Sequence, residues 1–133
     1  MNQAALVEVW NEMAGHRLEL VDAFYERLFE LYPEYRPLFP TNMDHQMEKM
    51  VEMIGAVVRF SNNTDLIRDY LNQVGKAHEL LHLTRQDLQN FKNVFVEAVA
   101  VACPQIWRDE HRQALTKTFD ELIIPVMEES LGL

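Results

Sequence analysis

Residues Leu66 to Leu83, LIRDYLNQVGKAHELLHL, decide how this chain is read. Ile67, Leu71, Val74, His78 and Leu81 follow one another at steps of 4, 3, 4 and 3. That is the period of one buried helix face, and Leu66 and Tyr70 extend the same stripe. His78 therefore points where the leucines point. A neutral imidazole taken out of water needs a partner, which can be a hydrogen bond or a metal. The identity of that partner decides the function.

Helical spacing continues on both sides of this stretch, and no useful run of alternating residues occurs. Leu6, Val9, Trp10 and Met13 form the stripe of a first helix that breaks at Gly15. Leu18, Val21, Tyr25, Leu28 and Tyr32 form a second, which ends at Pro33 because proline cannot continue a helix interior. A short turn follows to Phe39, and Thr41 and Asn42 can cap the next helix. Met43, Met47, Met50, Ile54 and Val57 are its stripe, and four of the seven methionines lie between 43 and 53. Flexible thioethers suit an adaptable cavity wall. Thr84 and Asp87 form a capping-box start for a helix carrying Leu88, Phe91, Phe95, Ala98 and Ala102. The last helix is expected from Trp107, with Pro125 kinking or shortening it. Ser61 to Asp65 lacks Pro and Gly. The helices on either side could run on as one, with His78 then supplied by a swapped partner in a homodimer. The fold class is all-α, with six or seven helices buried stripe against stripe.

The 133 residues suit one domain, 1–133, with a substantial core. A net charge of −9 argues against nucleic acid and against anionic membrane surfaces, both of which call for basic patches. Cys103 is the only cysteine, so no intrachain disulfide forms and a reducing, cytoplasmic setting is expected. The apolar window Val94 to Cys103 is about half a membrane span and reads as core helix.

His78, Glu79 and His82 also read as H-E-x-x-H, the pattern of a zinc metallopeptidase. On a helix the two imidazoles would lie one turn apart and share the metal, with Glu79 as general base. Glu97, Glu110 and His111 are candidates for the third ligand. Against this, no sheet edge is expected along which a peptide could lie. His16 and His111 sit among charged residues and are expected at the surface.

Phe24 to Phe39, FYERLFELYPEYRPLF, resembles the second and third helices of bacterial single-domain globins, the flavohaemoglobin and Vitreoscilla-haemoglobin type. The resemblance continues through Lys49 to Val58 (KMVEMIGAVV) and Val74 to His78 (VGKAH). It implies a globin fold of six to eight helices around a pocket for haem b, iron protoporphyrin IX. His78 would be the proximal iron ligand and Phe39 would stack on the porphyrin. Tyr25 would aim its hydroxyl into the distal pocket, the distal residue would be Gln46, and Met50, Phe91 and Phe95 would line the cavity. The residues agree: a haem needs an imidazole, an apolar slot, to which Met53 and Val57 can add, and a few placed polar groups.

Lys49 and His45 flank Gln46 and are candidate sixth ligands to the iron. Binding through Lys49 requires the loss of its proton, which a low-dielectric pocket assists. Flavohaemoglobin-type chains often place a tyrosine ten residues after the proximal histidine, paired with a glutamate of the last helix. Here that position is Leu88, with Glu128, Glu129 and Ser130 at the helix end. The expected function is reversible binding of a diatomic gas, oxygen or else nitric oxide or carbon monoxide, by an oxygen carrier or a gas sensor. A sensor would pass its signal to a fused C-terminal signalling domain. Catalysis is not required by these residues, and nitric oxide dioxygenase turnover would need an external reductase.

Overall fold

The computed structural model describes residues 2–133, Leu80 by its backbone alone. Seven α-helices carry the described residues: α1 (Gln3–Glu12), α2 (Arg17–Leu31), α3 (Asp44–Phe60), α4 (Thr64–Ala77), α5 (Arg85–Ala102), α6 (Asp109–Thr118) and α7 (Ile124–Leu131). No strand occurs among the described residues, and no helix there is long and apolar enough to cross a membrane.

Local chemistry sets most boundaries. The Asn2 side chain accepts from the Ala5 N–H and starts α1. Gly15, at φ +83°, supplies the left-handed residue between α1 and α2. Pro33 opens a 3-10 turn, Pro33–Leu38, instead of extending α2. Thr84 and Asp87 close the expected capping box on α5.

Three expectations need correction. The helix through Leu66 to Leu83 stops at Ala77. A 3-10 turn, Glu79–Leu81, follows, and His82 then takes the left-handed φ of +53°. Leu66, placed on the buried stripe, is exposed, whereas Ile67 and Leu71 are fully buried. Secondly, α3 and α4 do not run on as one helix. The chain turns at Ser61–Asn63, and Asn63 caps α4 by accepting from the Leu66 N–H. The continuous helix on which a swapped dimer would rest is therefore absent. Thirdly, the helix expected from Trp107 begins at Asp109 and is divided into α6 and α7, with Pro125 in the first turn of α7. The turn Phe119–Ile123 widens to π geometry just before the proline. An extra residue in the turn absorbs the missing N–H and the bulk of the ring.

The main core joins α2 and α5 through Leu28, Phe24, Phe95 and Val99, and Phe119 and Met127 close it from below. A second cluster, Val57, Ile67, Leu71, Leu122 and Val126, locks α4 onto α7. These two helices touch closely at Gly75, where an added Cβ would lie 1.7 Å from the Ser130 Oγ. This contact holds the end of α4, and with it His78, against the last helix.

Candidate functional site

His78 sits one residue past α4 and is half-buried. Its Nδ1 lies 2.7 Å from the Val74 carbonyl oxygen. A carbonyl can only accept, so Nδ1 carries the proton and donates, and Nε2 keeps its lone pair. The ring is thus fixed in tautomer and direction by the preceding helical turn.

The polar groups at the end of the last helix, Glu128, Glu129 and Ser130, are engaged elsewhere. Glu128 pairs with Arg85 at 3.0 Å and Glu129 with Arg68 at 3.3 Å. Ser130 donates to the Met127 carbonyl. Leu88 is buried in the core.

Tyr25 is buried on α2, and its ring meets Phe24, Phe29 and Phe39 at centroid distances of 5.0, 5.9 and 5.4 Å. Gln46, in the first turn of α3, donates its Nε2 to the Tyr25 hydroxyl oxygen at 3.1 Å. Burial raises the Tyr25 pKa above the ordinary phenolic value, against a smaller opposing effect of Gln46, so the hydroxyl keeps its proton. With its oxygen accepting from Gln46, that proton is free for a third partner.

Around this pair, Phe39, Met43, Met47 and Met50 reach the Tyr25–Phe95 core from the corner and α3, Val74 from α4, and Phe91 from α5. All six stay only partly buried. Side chains that pack on a core yet keep exposed apolar surface could line a slot for a flat apolar ligand. Met53 faces the second cluster instead, with Val57. Phe95 is fully buried between Phe24 and Phe119 and supports the slot from behind. Gln46 turns inward, but its neighbours do not: His45 and Lys49 are both exposed and are not brought to the site.

Arg36 escaped the sequence reading. Its guanidinium donates to the carbonyls of Phe39, Pro40 and Thr41 at 3.3, 3.0 and 3.1 Å and lies over the Phe29 ring. It ties down the corner that presents Phe39, and an arginine four residues before a Pro was the available signal. Tyr35 was missed as well. Its hydroxyl donates to Asp87 at 2.5 Å and accepts from Asn90 at 3.0 Å, which joins the corner after α2 to the start of α5. Burial and the Asp87 carboxylate push the Tyr35 pKa up to about 12.

The zinc reading fails on geometry. The 3-10 turn Glu79–Leu81 separates His78 from His82, and His82, itself left-handed, is exposed. No group of three metal-binding side chains is found among the described residues. Glu97, the nearest third-ligand candidate in sequence, pairs with Arg27 at 3.5 Å. His111, expected at the surface, is almost fully buried. Its Nδ1 accepts from the Arg108 N–H and its Nε2 donates to Glu8 at 2.6 Å, which fastens α6 to α1.

The chain is similar to an anaerobic nitrite reductase of Gossypium hirsutum, 22% identical over 96% of this chain and 87% of that protein. It is also similar to human haemoglobin subunit mu, 24% identical over 93% of this chain and 89% of the subunit. The globin family profile matches residues 22–126, which run from within α2 to Val126 in α7 and include Tyr25, Gln46 and His78. A profile match of that extent, on an all-helical fold, makes this chain a member of the globin family.

Proposed function

We propose that these residues would hold haem b, with His78 as the iron ligand, and that the protein binds a diatomic gas reversibly. The residues fit the group. The slot offers six partly covered apolar side chains for a flat apolar ring. His78 offers a free Nε2 held in direction by Val74. Tyr25 and Gln46 form one polar pair in otherwise apolar surroundings. When bound, the haem supplies an iron centre to which a small gas adds without net chemistry.

The chain's own residues set how tightly that gas is held. Tyr25 can donate its proton to the partly negative gas while Gln46 holds the hydroxyl in place. Phe39, on the corner fixed by Arg36, can stack on the ring. The observation that carries the choice of reversible binding is the set of partners of His78. Its Nδ1–H meets a neutral carbonyl, not a carboxylate, so the imidazole pushes little electron density toward the iron. That favours holding a gas over cleaving it. The Tyr25–Gln46 pair supports kinship with the bacterial single-domain globins, and an oxygen or nitric oxide role within them.

The test is the visible absorption spectrum of the haem-loaded protein, oxidised, reduced, and reduced with carbon monoxide. An intense Soret band that shifts with carbon monoxide is expected. Because His45 and Lys49 are exposed, the reduced form should show one broad visible band, the mark of an open sixth position. His78→Gly should lose that spectrum and regain it with added imidazole. Failure to take up haem, or an unaltered spectrum in His78→Gly, would overturn the reading.

A further inference from the structure

The methionines of this chain fall into two environments. Met13 and Met127 are buried in the core at 5% and 8% exposure. Met43, at the start of α3, and Met47, Met50 and Met53 within it are only partly buried. Leucine would build the same helix face, with comparable volume and helix preference. What a thioether adds to such a face is reactivity, because its sulfur lone pair is open to two-electron oxidants.

Two of the four lie beside the polar pair of the site. The Met47 N–H donates to the Met43 carbonyl at 2.9 Å, so Met43 already follows the first turn of α3. Met43 stands three positions before Gln46 and Met50 four after it. Both therefore share the Gln46 face, one turn away on either side. Gln46 reaches the Tyr25 hydroxyl at 3.1 Å, and both methionines pack against the cluster that contains Tyr25. Side chains one turn apart have Cβ atoms about 5–6 Å apart, a gap that a flexible methionine can span. The one cysteine sulfur does not compete for oxidant. Cys103 is fully buried and donates to the Val99 carbonyl.

We propose that Met43 and Met50 are sites of oxidation by a hydroperoxide, and that their sulfoxides draw the Tyr25 proton away from the gas. A sulfur lone pair attacks one peroxide oxygen, and an S–O bond forms as the O–O bond breaks. With hydrogen peroxide, the departing hydroxide takes the proton left on the transferred oxygen and leaves as water. The thioether is oxidised by two electrons and the peroxide is reduced by two. An apolar side chain becomes a polar one that carries a hydrogen-bond acceptor. Beside Gln46 that oxygen can accept from the Tyr25 O–H, and the gas loses its donor. This consequence rests on the reading of Tyr25 as the donor to a bound gas, whereas the modification itself does not.

Peptide mass spectrometry after treatment with hydrogen peroxide tests the modification, and carbon monoxide is kept on the reduced iron to protect it. Met43 and Met50 should each gain one oxygen at least about tenfold faster than the shielded Met13 and Met127. Oxidation that is even across the methionines, or that spares Met43 and Met50, overturns the proposal. The same map can be read on a chain without haem. Failure to take up haem would therefore overturn the proposed function while the map still decides the modification. The oxygen release rate, timed before and after treatment, tests the consequence. Release from the wild type should quicken about tenfold, as for a lost hydrogen bond to a partly charged acceptor. The double variant Met43→Leu with Met50→Leu, compared with itself, should not respond to peroxide. Tyr25→Phe should not respond either, although its methionines still oxidise. A wild type whose release is unchanged after both sulfurs are oxidised overturns the proposal. So does a rise of equal size in either variant.

Discussion

Replacing Tyr25 with phenylalanine tests the distal half of the site with the smallest change in shape. The ring contacts to Phe24, Phe29 and Phe39 survive, and only one oxygen is lost. In the wild type that oxygen accepts from Gln46 at 3.1 Å, so its own proton is the one available to a bound gas. A hydrogen bond to a partly charged acceptor is worth ~1.5–3 kcal/mol, and a barrier to release lowered by that much speeds release about 10- to 150-fold. The gain should fall toward the lower end, because Gln46 loses its acceptor in Tyr25→Phe and can swing its amide toward the gas. Gln46→Leu alone should have a smaller effect on release, and the double variant should exceed Tyr25→Phe if the amide substitutes. Stopped-flow displacement of oxygen by carbon monoxide measures all four rates, and the cycle gives the coupling of the two residues directly. An unchanged release rate in Tyr25→Phe would refute the reasoning. It would mean that the phenolic proton is spent on the Gln46 carbonyl oxygen, or that the gas sits beyond reach of Tyr25.

Four further outcomes follow from the contacts. Arg36→Ala removes three donors from the corner at Phe39 to Thr41 and should raise the rate of haem loss to an acceptor protein, with little effect on the fold seen by circular dichroism. Gly75→Ala would set a Cβ 1.7 Å from the Ser130 Oγ and should cost ~1–3 kcal/mol in denaturant unfolding, with Ser130→Gly recovering much of the loss. His111→Ala leaves a cavity and strips Glu8 and the Arg108 N–H of a partner, so a loss of ~2–4 kcal/mol is expected in the same assay. The Tyr35–Asp87 bond makes stability depend on pH at both ends. The Asp87 pKa is lowered because the hydrogen bonds from Tyr35 and Thr84 outweigh its burial, so its contribution is complete above about pH 4 and fades as pH falls through the depressed folded value. Tyr35, raised to about 12, keeps its proton in the fold, so stability should fall as pH rises from about 10 toward 12. Tyr35→Phe should flatten the alkaline limb in unfolding curves measured against pH.

What could be read from the residues follows the range of the forces involved. Gly15, Pro33 and the Thr84–Asp87 box act within a few residues, so their helix boundaries are written in the local sequence. The buried stripe of Ile67 and Leu71 is local in the same way, because periodicity alone puts both on one face. The end of α4 is different. Nothing between Ala77 and Leu83 is a proline or glycine, yet the helix stops before His82. Close to that end Gly75 fits tightly on Ser130, a residue 55 positions on in the chain. His111 misleads for the same reason. Its neighbours in sequence are charged, but its partner Glu8 lies 103 positions away and turns a surface-like residue into a buried link. The H-E-x-x-H string reads as a metal site only while the helix is assumed to continue past His78, and it does not. Residues flanking Gln46 make the point at the smallest scale. His45, one position from the inward-facing amide, is carried round the helix to solvent, and Lys49, three positions on, is exposed as well. The identity of a site residue can be local, but whether it faces the site depends on where distant parts of the chain allow its helix to begin and end.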